Sequence, residues 1–101
     1  MQYMFEIIKS DAFMAWVENL KDRAAALRIT ARIDRASLGN LGDHKYLRDG
    51  VSEMRVDVGP GYRLYFTRQG DTVIILLCGG GKKTQQEDIN LAVKLAQAWK
   101  E

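Results

Sequence analysis

Met54-Arg55-Val56-Asp57-Val58-Gly59-Pro60-Gly61-Tyr62-Arg63-Leu64-Tyr65-Phe66-Thr67-Arg68 is the stretch on which the fold turns. Its first five residues alternate apolar and charged side chains, the pattern of a strand with one face buried. Gly59-Pro60-Gly61 reads as a tight turn, with Pro60 setting φ at the first central position and Gly61 free to take positive φ at the second. Residues 62–68 read as the returning strand, and Gln69-Gly70-Asp71 turns it around. Val73-Ile74-Ile75-Leu76-Leu77-Cys78 is apolar throughout, which predicts a mid-sheet strand covered on both faces. Gly79-Gly80-Gly81 ends it, Lys82 and Lys83 follow, and Thr84-Gln85-Gln86-Glu87 has the spacing of a capping box that opens a helix.

Outward from this core, residues 3–9 carry Phe5, Ile7 and Ile8 and read as a first strand. Ser10 or Asp11 can cap a helix bearing Phe13, Met14, Trp16, Val17 and Leu20. A second helix places Ala26, Ile29, Ile33 and Ala36 at offsets of three and four, one apolar stripe. Arg28, Arg32 and Arg35 form a neighbouring stripe, either a solvated face or a contact to RNA phosphate or an acidic partner. Residues 39–50 are polar and glycine-rich, as an exposed connection should be. The last helix, from about Gln85 to Trp99, puts Ile89, Ala92, Val93, Ala96 and Trp99 on one face. The expected order is β-α-α-β-β-β-α: an α+β fold with a small, largely antiparallel four-stranded sheet packed with three helices, as one domain over residues 1–101.

Fifteen basic and thirteen acidic residues leave a net charge of only +2, so a polyanion site has to come from local clustering of cations. The lone Cys78 sits in the most apolar strand and reads as a buried structural thiol. No basic, signal-like N-terminal region and no segment long enough for a bilayer are visible, which predicts a cytoplasmic protein without a membrane partner. One histidine and one cysteine build no zinc site, so no metal and no cofactor are expected. Gly79-Gly80-Gly81-Lys82-Lys83-Thr84 lacks P-loop spacing, and no spacing points to a Ser-His-Asp triad. What remains is cations on rigid elements. Arg55 and Arg63 lie on adjacent strands and Lys82 and Lys83 follow the third, so a meander can bring them to one face or end. Converging Arg and Lys hold a phosphodiester and stabilise charge developing at phosphorus. The structural alternative is that Arg55 pairs with Glu53, Asp57 or a cross-strand acid.

These residues resemble the RelE/ParE superfamily of type II toxin–antitoxin toxins, and within it the addiction-module killer branch related to HigB-type toxins. The likeness is carried by Leu38-Gly39-Asn40-Leu41-Gly42-Asp43, Asp49-Gly50-Val51-Ser52-Glu53-Met54-Arg55, Gly59-Pro60-Gly61-Tyr62-Arg63-Leu64-Tyr65-Phe66, Ile74 to Gly80, and Lys82-Lys83-Thr84-Gln85. It implies a microbial-RNase-like fold and metal-independent, ribosome-dependent cleavage of mRNA by attack of the 2′-OH on the adjacent phosphate, with a cognate helix-turn-helix antitoxin as inhibitor. Arg55, Arg63 and Lys83 fall on catalytic positions, and Lys45, Tyr46, Tyr65, Arg68 and Lys82 are the candidate RNA-binding residues. Ile89 stands where RelE-type members carry a tyrosine, and Gly81 where this branch often has an acid, so the general base is unassigned. His44 is a candidate by its ordinary pKa. A non-enzymatic DNA gyrase poison, or a toxin that has decayed to antitoxin binding alone, are the alternative functions on the same fold.

Overall fold

The structure, a computed structural model, describes residues 4–99; Tyr3, where the expected first strand begins, lies outside them. The chain runs β1 (Glu6–Lys9), α1 (Asp11–Glu18), α2 (Arg23–Ser37), β2 (His44–Arg48), β3 (Val51–Val56), β4 (Tyr62–Gln69), β5 (Val73–Gly80) and α3 (Gln85–Ala98). The strands form one sheet in the order β1-β5-β4-β3-β2, antiparallel except for the parallel pair β1–β5. The α+β class holds, but the sheet is mixed and has five strands instead of the expected four.

The additional strand is β2, inside the segment expected as an exposed connection. It lies at the sheet's edge with most of its residues exposed, so it carries almost no apolar signal. Its hairpin to β3 closes through Asp49-Gly50, both at positive φ (52° and 82°), as a two-residue primed turn requires.

The all-apolar run becomes the spine of the sheet. Ile74 and Leu76 pack with α1 and α2, Ile75 and Leu77 lie under α3, and all four are fully buried. Each such burial contributes roughly 1.5–3 kcal/mol. Tyr65 pairs with Cys78 while Phe66 pairs with Leu76, so Leu77 is an extra residue on β5 and the strand bulges. The bulge lets Leu77 and Cys78 both join the core under α3. Ser10 ties α1 to this strand: its hydroxyl accepts from the Phe13 N–H (3.0 Å), capping the helix, and donates to the Leu77 carbonyl (2.6 Å).

Two local expectations shift. The Gly61 N–H donates to the Val58 carbonyl (2.9 Å), so Gly59 and Pro60 are the central turn residues, one position earlier than the sequence predicts. The pairing of Val56 with Tyr62 ends β3 two residues early and makes room for this longer loop. The capping box at Thr84 does not form. Thr84 has φ −109° and ψ 17°, outside the extended conformation of an N-cap, and its hydroxyl donates to Asp88 Oδ2 (2.7 Å).

The arginine stripe on α2 divides. Arg28 and Arg35 are exposed, whereas Arg32 is buried and donates through Nη2 to the carbonyls of Leu41 (2.5 Å) and Asp43 (3.3 Å). Gly42, at φ 60°, lies against the guanidinium so closely that a Cβ there would collide with it. Arg32 therefore pins the segment leading into β2 and is neither a solvated side chain nor a free phosphate ligand. No helix among the described residues is long and apolar enough to cross a membrane.

Arg32→Ala leaves two carbonyls without their charged donor and is expected to cost roughly 3 kcal/mol. Thermal unfolding followed by circular dichroism should show a fall of at least about 10 °C. Arg28→Ala should stay within about 0.5 kcal/mol of wild type. Equal midpoints for Arg32→Ala and wild type would mean the segment is held by something else.

Candidate active site

Strand alternation decides which side chains meet. Arg55 on β3 is directly opposite Arg63 on β4, and Glu53 is directly opposite Tyr65, so these four residues share the sheet face on which α3 packs. Two guanidinium groups at opposed positions repel one another. Glu53, two residues along the same face, answers that repulsion. Its carboxylate is fully buried; Oε2 accepts from Arg55 Nε at 3.0 Å, and Oε1 lies 3.5 Å from Arg63 Nε. The second contact is close enough for charge pairing but is not aligned as a hydrogen bond. Both arginines turn Nε inward to the same carboxylate. Among the described residues their Nη groups have no hydrogen-bond partner in the protein.

Both arginines line a cleft of about 380 Å³, together with Lys82, Tyr62, Asp43, Val56, Asp57 and the turn at 59–61. The Arg55 side chain is 43% exposed and that of Arg63 14%, so the first can swing while the second is held. Asp43 extends the β2–β3 ladder by one residue, its carbonyl accepting from the Arg55 N–H at 2.9 Å. Asp43, Arg55, Arg63 and Gly80 thus form one row across the sheet. At the end of that row the Asp88 carboxylate, from the first turn of α3, occupies the space a Cβ on Gly80 would need.

The residues singled out from sequence separate into groups. Arg55, Arg63 and Lys82 converge on the cleft, while Lys83 is exposed and lies outside its lining. His44, Lys45, Tyr46 and Arg68 gather instead in a shallow depression of about 450 Å³ at the β2 edge. His44 Nδ1 lies 2.8 Å from the Gly42 carbonyl, which can only accept, so Nδ1 carries the proton of that contact. The Tyr46 hydroxyl accepts from the Gly50 N–H (3.1 Å), and the Arg68 guanidinium sits 5.8 Å from the centroid of the Phe5 ring.

Tyr65 departs furthest from expectation. It is fully buried, so its ring offers no face to an RNA base. Burial, followed by the charges of Asp88 and Glu53, pushes its phenol up to about 12, so it stays protonated at neutral pH and accepts no proton there. The aromatic ring that does line the cleft is Tyr62, set edge-on against Trp16 with centroids 6.0 Å apart. Sequence reasoning passed over Tyr62 and Asp43 as cleft residues and named Asp57 only as a possible partner of Arg55. Of the partners offered for Arg55, Glu53, two residues along the same strand face, is the one that pairs with it. Cys78 is buried as expected, and burial ahead of the Asp88 charge raises its thiol to about 12.

An α+β sheet carrying a cleft of paired arginines is the class these features define. A protein of Haemophilus influenzae, named only as uncharacterized, is 48% identical over 85 residues, covering 84% of this chain and 86% of that one. The chain belongs to the same family as that protein. No family model matches the sequence.

The raised phenol and thiol set an alkaline limit on stability. When unfolded, Cys78 ionises near 9.0 and Tyr65 near 10.0; folded, neither does so until about 12. In that window the folded state binds more protons, so the contribution is intact below about pH 9 and is lost as pH rises toward 12. Urea titrations from pH 8 to 11 should show stability falling, with a shallower fall in Tyr65→Phe and in Cys78→Ala. Identical slopes in all three proteins would contradict this account.

Proposed function

We propose that this protein is a toxin of the RelE/ParE superfamily, in its addiction-module killer branch, with the RelE-like, microbial-RNase-like fold of that group. In this reading it is a cytoplasmic, metal-independent endoribonuclease that cleaves ribosome-bound mRNA by 2′-OH attack and is inhibited by a cognate helix-turn-helix antitoxin. The observation that carries it is the pair Arg55 and Arg63, opposed across two strands, each with Nε beside Glu53, lining one cleft with no protein partner for their Nη groups among the described residues. A planar fork presented this way matches phosphate oxygens two at a time. Those oxygens carry more charge in the pentacoordinate transition state than in the substrate, so the contact strengthens along the reaction. Lys82 supplies a third cation at the same cleft. The quoted sequence motifs, from Leu38 to Gln85, support the same family and include the cleft residues Asp43, Arg55, Arg63 and Lys82.

Brief induction of the chain alone should arrest growth, with mRNA breaks mapped at the ribosome, and co-expression of the antitoxin should restore growth. Trapped gyrase–DNA with intact mRNA would favour the gyrase-poison reading, and normal growth at confirmed expression would sink every toxin reading. Arg63→Ala should lower cleavage roughly a hundredfold or more, the scale of losing one donor to a developing oxyanion. Arg63→Lys should recover only part, since a point charge does not replace the fork. Arg55 still pairs with Glu53 in these variants, so they should remain folded at 25 °C with a lowered melting point. An Arg63→Ala protein that is folded and cleaves like wild type would show that the active site lies elsewhere.

A further inference from the structure

We propose that Asp43 is the general base of this site, taking the proton from the attacking 2′-hydroxyl; the assignment rests on the nuclease reading above. Its place in the sheet is the first argument. Asp43 stands next to Arg55 and then Arg63 in one cross-strand row, so alternation places it on the same sheet face as the two arginines, and it lines the same cleft. His44, one residue on, pairs with Met54, whose side chain belongs to the core under α1 and α2. That one-residue step in alternation sends His44 to the opposite face and into the separate depression at the β2 edge.

Rigidity is the second argument. The Asp43 carbonyl is held by the Arg55 N–H at 2.9 Å and by Arg32 Nη2 at 3.3 Å, and the glycine before it admits the Arg32 guanidinium. A backbone fixed from two sides fixes where the carboxylate emerges, as proton abstraction demands. Asp57, the other carboxylate of the cleft, lies on the loop after β3 and has no ladder bond of this kind. The third argument is availability. Asp43 is exposed, and among the described residues its carboxylate makes no hydrogen bond or ion pair. It is free to accept a proton.

The step balances without a further reagent. The 2′-oxygen passes its proton to the Asp43 carboxylate and forms the O2′–P bond, while Arg55 and Arg63 take up charge on the non-bridging oxygens. The P–O5′ bond breaks, its electron pair leaves with the 5′ oxygen, and that oxygen takes a proton from solvent. The products are a 2′,3′-cyclic phosphate and a 5′-hydroxyl; Asp43 then returns its proton to solvent.

The test uses the full-length chain with mRNA on purified ribosomes, comparing wild type, Asp43→Asn, Asp43→Glu and Asp57→Asn. Binding is measured in parallel on an oligonucleotide that carries a 2′-deoxy sugar at the scissile position. Asp43→Asn should cleave about 100- to 10,000-fold more slowly, the range for losing a general base. Its affinity for the 2′-deoxy oligonucleotide should be equal or tighter, because a negative charge has left a phosphate-binding cleft. Wild type should show an acid limb in its rate profile that Asp43→Asn lacks, Asp43→Glu should recover part of the rate, and Asp57→Asn should keep the acid limb and lose far less rate than Asp43→Asn. The groups facing Asp43 that shape this profile are Arg32 from α2, Arg55 from β3, Arg63 from β4, Asp57 from the loop after β3, and Lys82 from the segment before α3. If wild type cleaves and Asp43→Asn cleaves within about tenfold of it, or loses rate only in proportion to lost binding, Asp43 is not the base. If wild type yields no 2′,3′-cyclic phosphate ends, the nuclease reading falls and this assignment with it.

Discussion

A carboxylate buried without a cation would cost several kcal/mol, and Glu53 is buried completely. Its position in the middle of β3, directly across from Tyr65 and under α3, leaves no route to solvent. The structure meets that constraint with two arginines rather than one, and the consequence is geometric. Arg55 donates its Nε to Glu53, Arg63 only approaches it in charge contact, and among the described residues neither guanidinium gives its Nη donors to the protein. One negative charge is held against two positive ones, so the pair remains net cationic at the cleft. Lys82 adds to that charge, while Asp43 and Asp57 limit it. Three cations and three carboxylates thus meet at one place, and it is their arrangement rather than a net charge that distinguishes the cleft.

The backbone around the cleft is well braced. β4 is hydrogen-bonded on both sides, to β3 and β5, and β5 is covered above and below by helices. Arg63 therefore leaves the sheet from a position with little freedom, and its side chain is mostly covered. Arg55 sits one strand nearer the edge and is more exposed. The two arginines are chemically alike but mechanically different, one a fixed contact and the other able to follow a substrate. Asp88, resting over Gly80, closes the far end of the row and adds its charge to the surroundings of Tyr65.

Much of the fold was legible because its signals are local. The alternation at 54–58, the apolar run at 73–78 and the apolar stripes of the helices each declare an element from within a few residues. The edge strand β2 was not, since a strand that buries almost nothing has no hydrophobic period to read; Asp49-Gly50 was its one marker. The parallel pairing of β1 with β5 is equally silent, because it joins residues more than sixty positions apart. At the site, residue type was legible and convergence was not. The bend after β5 put Lys82 and not Lys83 at the cleft, and a single step of alternation separated His44 from Asp43. Tyr65 had the right chemistry for an RNA contact but sat on the face that α3 covers.

Stability alone does not explain the arrangement of Glu53 and its arginines. A buried ion pair replaced by apolar residues of similar volume is commonly as stable or more so, whereas removing one partner is strongly destabilising. The face under α3 is otherwise apolar, with Val51, Ile75, Leu77, Ala92 and Val93 filling it, and an apolar residue at position 53 would extend that core without a charge to neutralise. Keeping Glu53 obliges the protein to keep cations beside it. Keeping two opposed cations, where one would neutralise the carboxylate, adds a repulsion the fold does not need. That surplus is relieved when an anion enters the cleft, since its charge attracts both guanidinium groups at once. On the proposed function, the arrangement is least favourable in the empty protein and improves when the phosphodiester enters, a demand that a purely structural ion pair does not make.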